Sequence, residues 1–188
     1  MLVACAIAAL LCAAAAALLE VGLPAATASD RIAADALRVL QSTHTSGAAI
    51  TLGGRTLVAS CRPAGRKRVV TLSDGSRLTV IGAHVRQTRV ATTRNASDAP
   101  DLFAAEADLS GVHALYAREL VGALGSSSVA VRETRYAGIA AYTLRLGSQR
   151  PFVDLIVDRE TLRPIAARYT SATLSGEAVF RAATGPGC

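Results

Sequence analysis

Tryptophan is absent from this 188-residue chain, phenylalanine occurs three times and tyrosine four. Single-stranded nucleic acid is bound by aromatic platforms interleaved with basic residues. A chain so poor in aromatics offers no such surface, so no nucleic-acid partner is expected. Lysine is nearly absent too: Lys67 stands alone among twenty basic residues, and the rest are arginine. The three histidines, His44, His84 and His113, lie far apart and form no zinc-ligand spacing with the four cysteines, so no metal site is expected. No Gly-x-Ser-x-Gly elbow is present. Gly53-Gly54 lacks the strand-to-helix context and the lysine of a phosphate loop. Asp154 and Asp158 fall on the wet face of one strand, Asp158 in a turn, and read as solvated carboxylates rather than an acid–base pair. No catalytic residue and no cofactor are therefore expected, and the chain reads as a non-enzyme. It has no fixed-period repeat and no linker long enough to divide it.

What is present begins with an uncharged apolar run at 2–19, followed by Ala26-Thr27-Ala28. Small residues at those positions read as a secretory signal peptide cleaved after Ala28. No Lys or Arg precedes Arg31, and the run approaches the length of a membrane span, so an uncleaved N-terminal anchor is the alternative. The expected organisation is 1–28 as leader or anchor and 29–188 as one domain, exported to the periplasm or cell envelope. Two cysteines then remain, Cys61 and Cys188, read either as one disulfide formed in an oxidising compartment or as two unpaired thiols. Closing so long a loop stabilises by about 4–5 kcal/mol in the chain-entropy account. The formal charge is +6, which suits an anionic lipid surface or acidic polymer. Its densest expression is Arg62, Arg66, Lys67 and Arg68, read either as a membrane-surface patch or as a solvated strand end.

Most of the remainder alternates with a period of two. In 152–169, Val153, Leu155 and Val157 fall on one side and Asp154 and Asp158 on the other. After a turn, Ile165, Ala167 and Tyr169 alternate with Arg168. Asp158 and Thr161 are suited to accept backbone N–H bonds in the turn, and Pro164 to start a strand. Asp74-Gly75 carries a hairpin signal between Val70/Leu72 and Leu78/Val80. Tyr142, Leu144 and Leu146 share a further strand face. Residues 30–43 read as a helix capped by Asp30, with Ile32, Ala36, Leu37 and Leu40 on one side. Thr45-Ser46-Gly47 reads as a break. Residues 94–111 read as loop with one short helical piece, and 112–124 as a second helix. The expected fold class is α+β: a curved antiparallel sheet, an unclosed half-barrel, with helices covering its concave face. Val70, Leu72, Leu78, Val80, Tyr142, Leu144, Leu146, Val153, Leu155 and Val157 are the candidate ligand-binding residues lining a cavity. A smooth aliphatic lining suits acyl chains better than a polar metabolite. The same alternation also describes an ordinary core packed against helices.

Three segments, in this order after a leader and a first helix, resemble the LolA/RseB-like superfamily of exported lipid- and lipoprotein-binding proteins, which includes LppX/LprG-type carriers. They are RPAGRKRVVTLSDGSRLTVIG at 62–82, VRETRYAGIAAYTLRL at 131–146 and VDLIVDRETLRPIAARY at 153–169. The likeness covers most of 30–182, without the tryptophan or the lipobox of those carriers. It implies a half-barrel with helices in its mouth that holds lipid or lipoprotein acyl chains for transport across the envelope. On its RseB side it implies a sensory domain that binds a membrane-anchored, anti-sigma-type protein partner.

Overall fold

The computed structural model describes residues 27–81, 84–88, 116, 120–122, 124, 129–147 and 149–183. The first helix, α1, runs Ala28–Ser42. Its cap is Thr27 rather than the expected Asp30. The Thr27 hydroxyl accepts the Asp30 N–H at 3.1 Å, and the Asp30 carboxylate accepts the Thr27 N–H at 3.0 Å. This reciprocal box needs a residue three positions ahead of the acid, so Asp30 closes the first turn instead of opening it.

Ten strands form one sheet. They are β1 Thr45–Leu52, β2 Arg55–Ala64, β3 Lys67–Leu72, β4 Arg77–Ile81, β5 His84–Thr88, β6 Ala130–Tyr136, β7 Ile139–Leu146, β8 Phe152–Asp158, β9 Pro164–Thr170 and β10 Ser175–Ala182. The order is β5-β4-β3-β2-β1-β10-β9-β8-β7-β6, antiparallel throughout. The chain therefore meanders from the middle of the sheet out to one edge. It resumes at the opposite edge and meanders back until β10 pairs with β1. Among the described residues β5 and β6 remain as unpaired edges, so the sheet is an open half-barrel and not a closed one.

β1 overturns the expected break at 45–47. Gly47 lies inside the strand, at a bulge in the pairing with β10, with φ +146°. A Cβ there would collide with the Ala59 carbonyl of β2. The space glycine leaves is crossed by Arg181 of β10, whose guanidinium donates to that carbonyl at 3.1 Å. The β3–β4 turn follows its Asp-Gly signal: Gly75 has φ +85° and the Ser76 N–H donates to Asp74 at 3.0 Å.

One apolar cluster fills the concave face. It takes in side chains from β1 to β4 and from β7 to β10, together with Ala33, Ala36 and Leu40 of α1 and Tyr116 and Leu120. Residues 116, 120–122 and 124 are helical, in agreement with the second expected helix. The loop and short helical piece expected at 94–111 lie outside the described residues, as do residues 1–26 of the expected leader and Cys188. No helix among the described residues is long and apolar enough to cross a membrane.

The convex face is not uniformly wet. Ala141, Ile156 and Ala166 form a small second cluster with Tyr136 and Ile165 packed against it. Ile165 was expected beside Ala167 and Tyr169. A bulge opposite Ile156 and Val157 inserts it as an extra residue, because Val157 pairs with Pro164 while Ile156 pairs with Ala166. An inserted residue shifts the side-chain alternation by one, which sends Ile165 to the other face.

Candidate functional site

The ten residues expected to face inward come together on one side of the sheet. Val70 lies opposite Leu78. Tyr142 lies opposite Val157, Leu144 opposite Leu155, and Leu146 opposite Val153. Nine of them belong to the buried cluster, and Tyr142, half-buried, packs against it. Period-two geometry brings this about: each strand sends every second side chain to the same face, and antiparallel register lines those side chains up across strands.

Ala33, Ala36 and Leu40 of α1 are buried in this cluster and Leu37 packs against it. The second helix contributes Tyr116 and Leu120. Tyr116 packs against Phe180 of β10, with ring centroids 5.8 Å apart and the rings tilted by 50°. The sequence reading missed this aromatic pair. Tyr116, Leu120 and Leu124 recur every four residues, and Ala178 and Phe180 alternate, so the signal was present in both elements.

Of the basic residues grouped in sequence, Arg62, Arg66 and Lys67 are exposed and Arg68 is half-buried. They surround the two-residue turn of the β2–β3 hairpin, where Gly65 takes φ +62°. Arg68 pairs in register with Pro63 and Val80. It therefore shares the concave side with Val70 and Val80, while Arg62 and Lys67 point to the convex side. None of the four has an acidic partner among the described residues. Cys61 is buried beside them.

The two aspartates of β8 do different things. Asp158 holds its turn: one carboxylate oxygen accepts from the Glu160 N–H at 3.0 Å, the Thr161 N–H at 2.7 Å and the Thr161 hydroxyl at 2.8 Å. The Thr161 bonds are the main reason its carboxyl sits below the ordinary carboxylate value. Asp154 was expected to be solvated. It is instead bonded bidentately by Arg145, directly opposite on β7, at 2.7 and 2.8 Å. That Arg145 guanidinium also lies 4.1 Å over the Phe152 ring. The hydrogen bond to Asp154 raises the Arg145 pKa against the opposing effect of burial. On the convex face Arg168 bonds Glu177 at 2.8 Å near the Tyr136 ring. Burial, then the Glu177 charge, pushes the Tyr136 hydroxyl up. Each of these charges is paired with an opposite charge or committed to a turn, and none sits in an apolar recess that would ready it for proton transfer. His44 is exposed, and the described residues hold no group of three metal-ligating side chains.

No family pattern matches the sequence, and a search of curated proteins found no relative. Solved structures to which the chain is similar include LprF from Mycobacterium bovis, at TM-score 0.43 and 10% identity, covering 81% of this chain and 90% of that one. The Mycobacterium tuberculosis lipoprotein LppX gives 0.40 and 12%, covering 81% and 93%. A LolA superfamily protein from Nitrosomonas europaea gives 0.39 and 12%, covering 86% and 96%.

Proposed function

We propose that this chain is an exported, non-enzymatic protein whose concave face takes the acyl chains of a lipid or lipoprotein and shields them from water during transfer across the cell envelope. The observation that carries this reading is the inward aliphatic set of β3, β4, β7 and β8 gathered in one cluster under a helix anchored by Ala33, Ala36 and Leu40. In this reading α1 shifts aside and an acyl chain replaces its side-chain contacts at about 0.8 kcal/mol per CH₂. In the same reading residues 1–28 are a signal peptide or anchor, Cys188 is the partner of Cys61, and the β2–β3 hairpin tip rests on anionic headgroups. The Cys61 pairing is supported by topology. Ala182 ends β10 beside Thr45, two residues from the Gly47 that faces Ser60, so the chain leaves the sheet close to Cys61.

The absence of tryptophan makes the test direct. Tyr142→Trp places a single indole on the concave face, and Thr143→Trp places one on the convex face. A brominated fatty acid is expected to quench the first and spare the second. Equal quenching, or none, overturns the reading.

A second reading, a regulatory domain that binds a membrane-anchored protein, is favoured by a row on the convex side. Val58, Ala49, Val179 and Ala166 stand side by side across β2, β1, β10 and β9, with Val58 and Val179 about two-fifths exposed. Exposed apolar groups in a row are a feature of protein-binding surfaces. Charged substitutions at Val58 and Val179 that leave lipid uptake intact and abolish a cellular phenotype would support it.

A further inference from the structure

One end of the sheet holds a cleft of about 750 Å³, within the range of small-molecule sites. It is bounded by the end of α1, the start of β1, the β8–β9 turn and the end of β10. Its apolar lining is Val39, Pro164 and Phe180, with Ile165 reaching it from the convex side. Phe180 also packs against the concave-face cluster and on Tyr116, so this lining runs directly into the core proposed to receive acyl chains. Its polar lining includes Arg163 and His44, both exposed, and among the described residues no Asp or Glu lines it.

Arg163 is positioned by a rigid turn. Its carbonyl accepts the Asp158 N–H at 2.9 Å and its own N–H reaches the Thr161 hydroxyl at 3.4 Å. Leu162 before it sits at φ +56° with its side chain against the core. The nearby Asp158 carboxylate is occupied within the turn. Among the described residues Arg163 has no acidic partner. At the end of α1 the Thr43 N–H and the Ser42 hydroxyl both donate to the Val39 carbonyl, and the helix's negative end is a charge that Arg163 must outweigh to hold an anion. An exposed guanidinium beside an apolar lining matches a carboxylate or phosphate, which it grips through two parallel bonds.

The geometry points to this cleft as the mouth of the concave face, taking a single-chain amphiphile with an anionic headgroup. The headgroup lies on Arg163, with His44 and the rim hydroxyls beside it, and the tail passes Phe180 into the core. This rests on the acyl-chain reading above and adds the class of ligand and the residue that selects it. The test compares binding of laurate and lauryl alcohol, equal in tail and different in charge, by calorimetry. The natural chain should prefer laurate by about tenfold. Arg163→Gln should erase that preference, leave lauryl alcohol binding unchanged and melt at the same temperature, because the side chain is exposed and unpaired within the described fold. Arg163→Lys should keep most of the preference. A charge preference that survives Arg163→Gln, or equal binding of both amphiphiles by the natural chain, overturns the inference and leaves the acyl-chain reading standing. Binding of neither overturns both. An alkyl phosphate of the same length, run beside laurate, shows which anionic headgroup the rim favours.

Discussion

At Gly47 a single missing side chain decides how the middle of the sheet is assembled. The φ of +146° and the closeness of the Ala59 carbonyl leave no position for a Cβ, and Arg181 uses the space to reach across β1. Gly47→Ala should therefore cost about 3 kcal/mol, combining backbone strain with displacement of a strand, measured by denaturant unfolding. Asp158 makes a prediction with a sign. Its carboxyl lies below its ordinary 3.8 when folded, so the folded chain binds a proton less readily than the unfolded one. The stabilisation is fully present above 3.8 and is lost as the pH falls through the lower folded value. Asp158→Asn keeps an acceptor for Thr161 and removes the charge, so the acid limb of the stability–pH curve should become shallower. An unchanged limb would place the loss at other carboxylates.

At the scale of the element, α1 is the part to watch, because it opens on a complete capping box and meets the sheet through Ala33, Ala36, Leu37 and Leu40. Thr27→Ala should cost about 1 kcal/mol of helix stability, seen as faster amide exchange across Ala28–Ser42 with the sheet unaffected. The same box bears on processing: cleavage after Ala28 would remove Thr27 and leave Asp30 without its partner. The elements were legible in sequence where local chemistry specified them. Val153 to Tyr169 alternates around an Asp158 turn, and Asp74-Gly75 marks its own reversal. β1 was not legible, since its core of Gly47, Ala48 and Ala49 has neither large apolar nor β-branched residues to mark a strand. Ile165 was misplaced because a bulge is set by the partner strand and leaves no mark in its own. The inward set could be read from period two alone. The cleft could not, since it joins Val39, Arg163 and Phe180 from three distant segments.

At the scale of the molecule, two meanders are closed into one sheet by the pairing of β1 with β10. No local pattern announces a contact between the first strand and the last, which is why strand order was not readable beforehand. The chain end beyond β10 is then placed to reinforce that seam. If Cys188 is the partner of Cys61, Cys188→Ser should lower stability by up to about 4–5 kcal/mol. A non-reducing peptide map should show the Cys61–Cys188 cross-link. The central claim concerns what the concave face holds. The most direct measurement is mass spectrometry of the organic extract from the protein purified in its native compartment, set against its molar amount. The account predicts near-stoichiometric lipid bearing acyl chains, with delipidated protein still folded and able to take lipid back. A folded protein that yields no lipid and takes none up would contradict it.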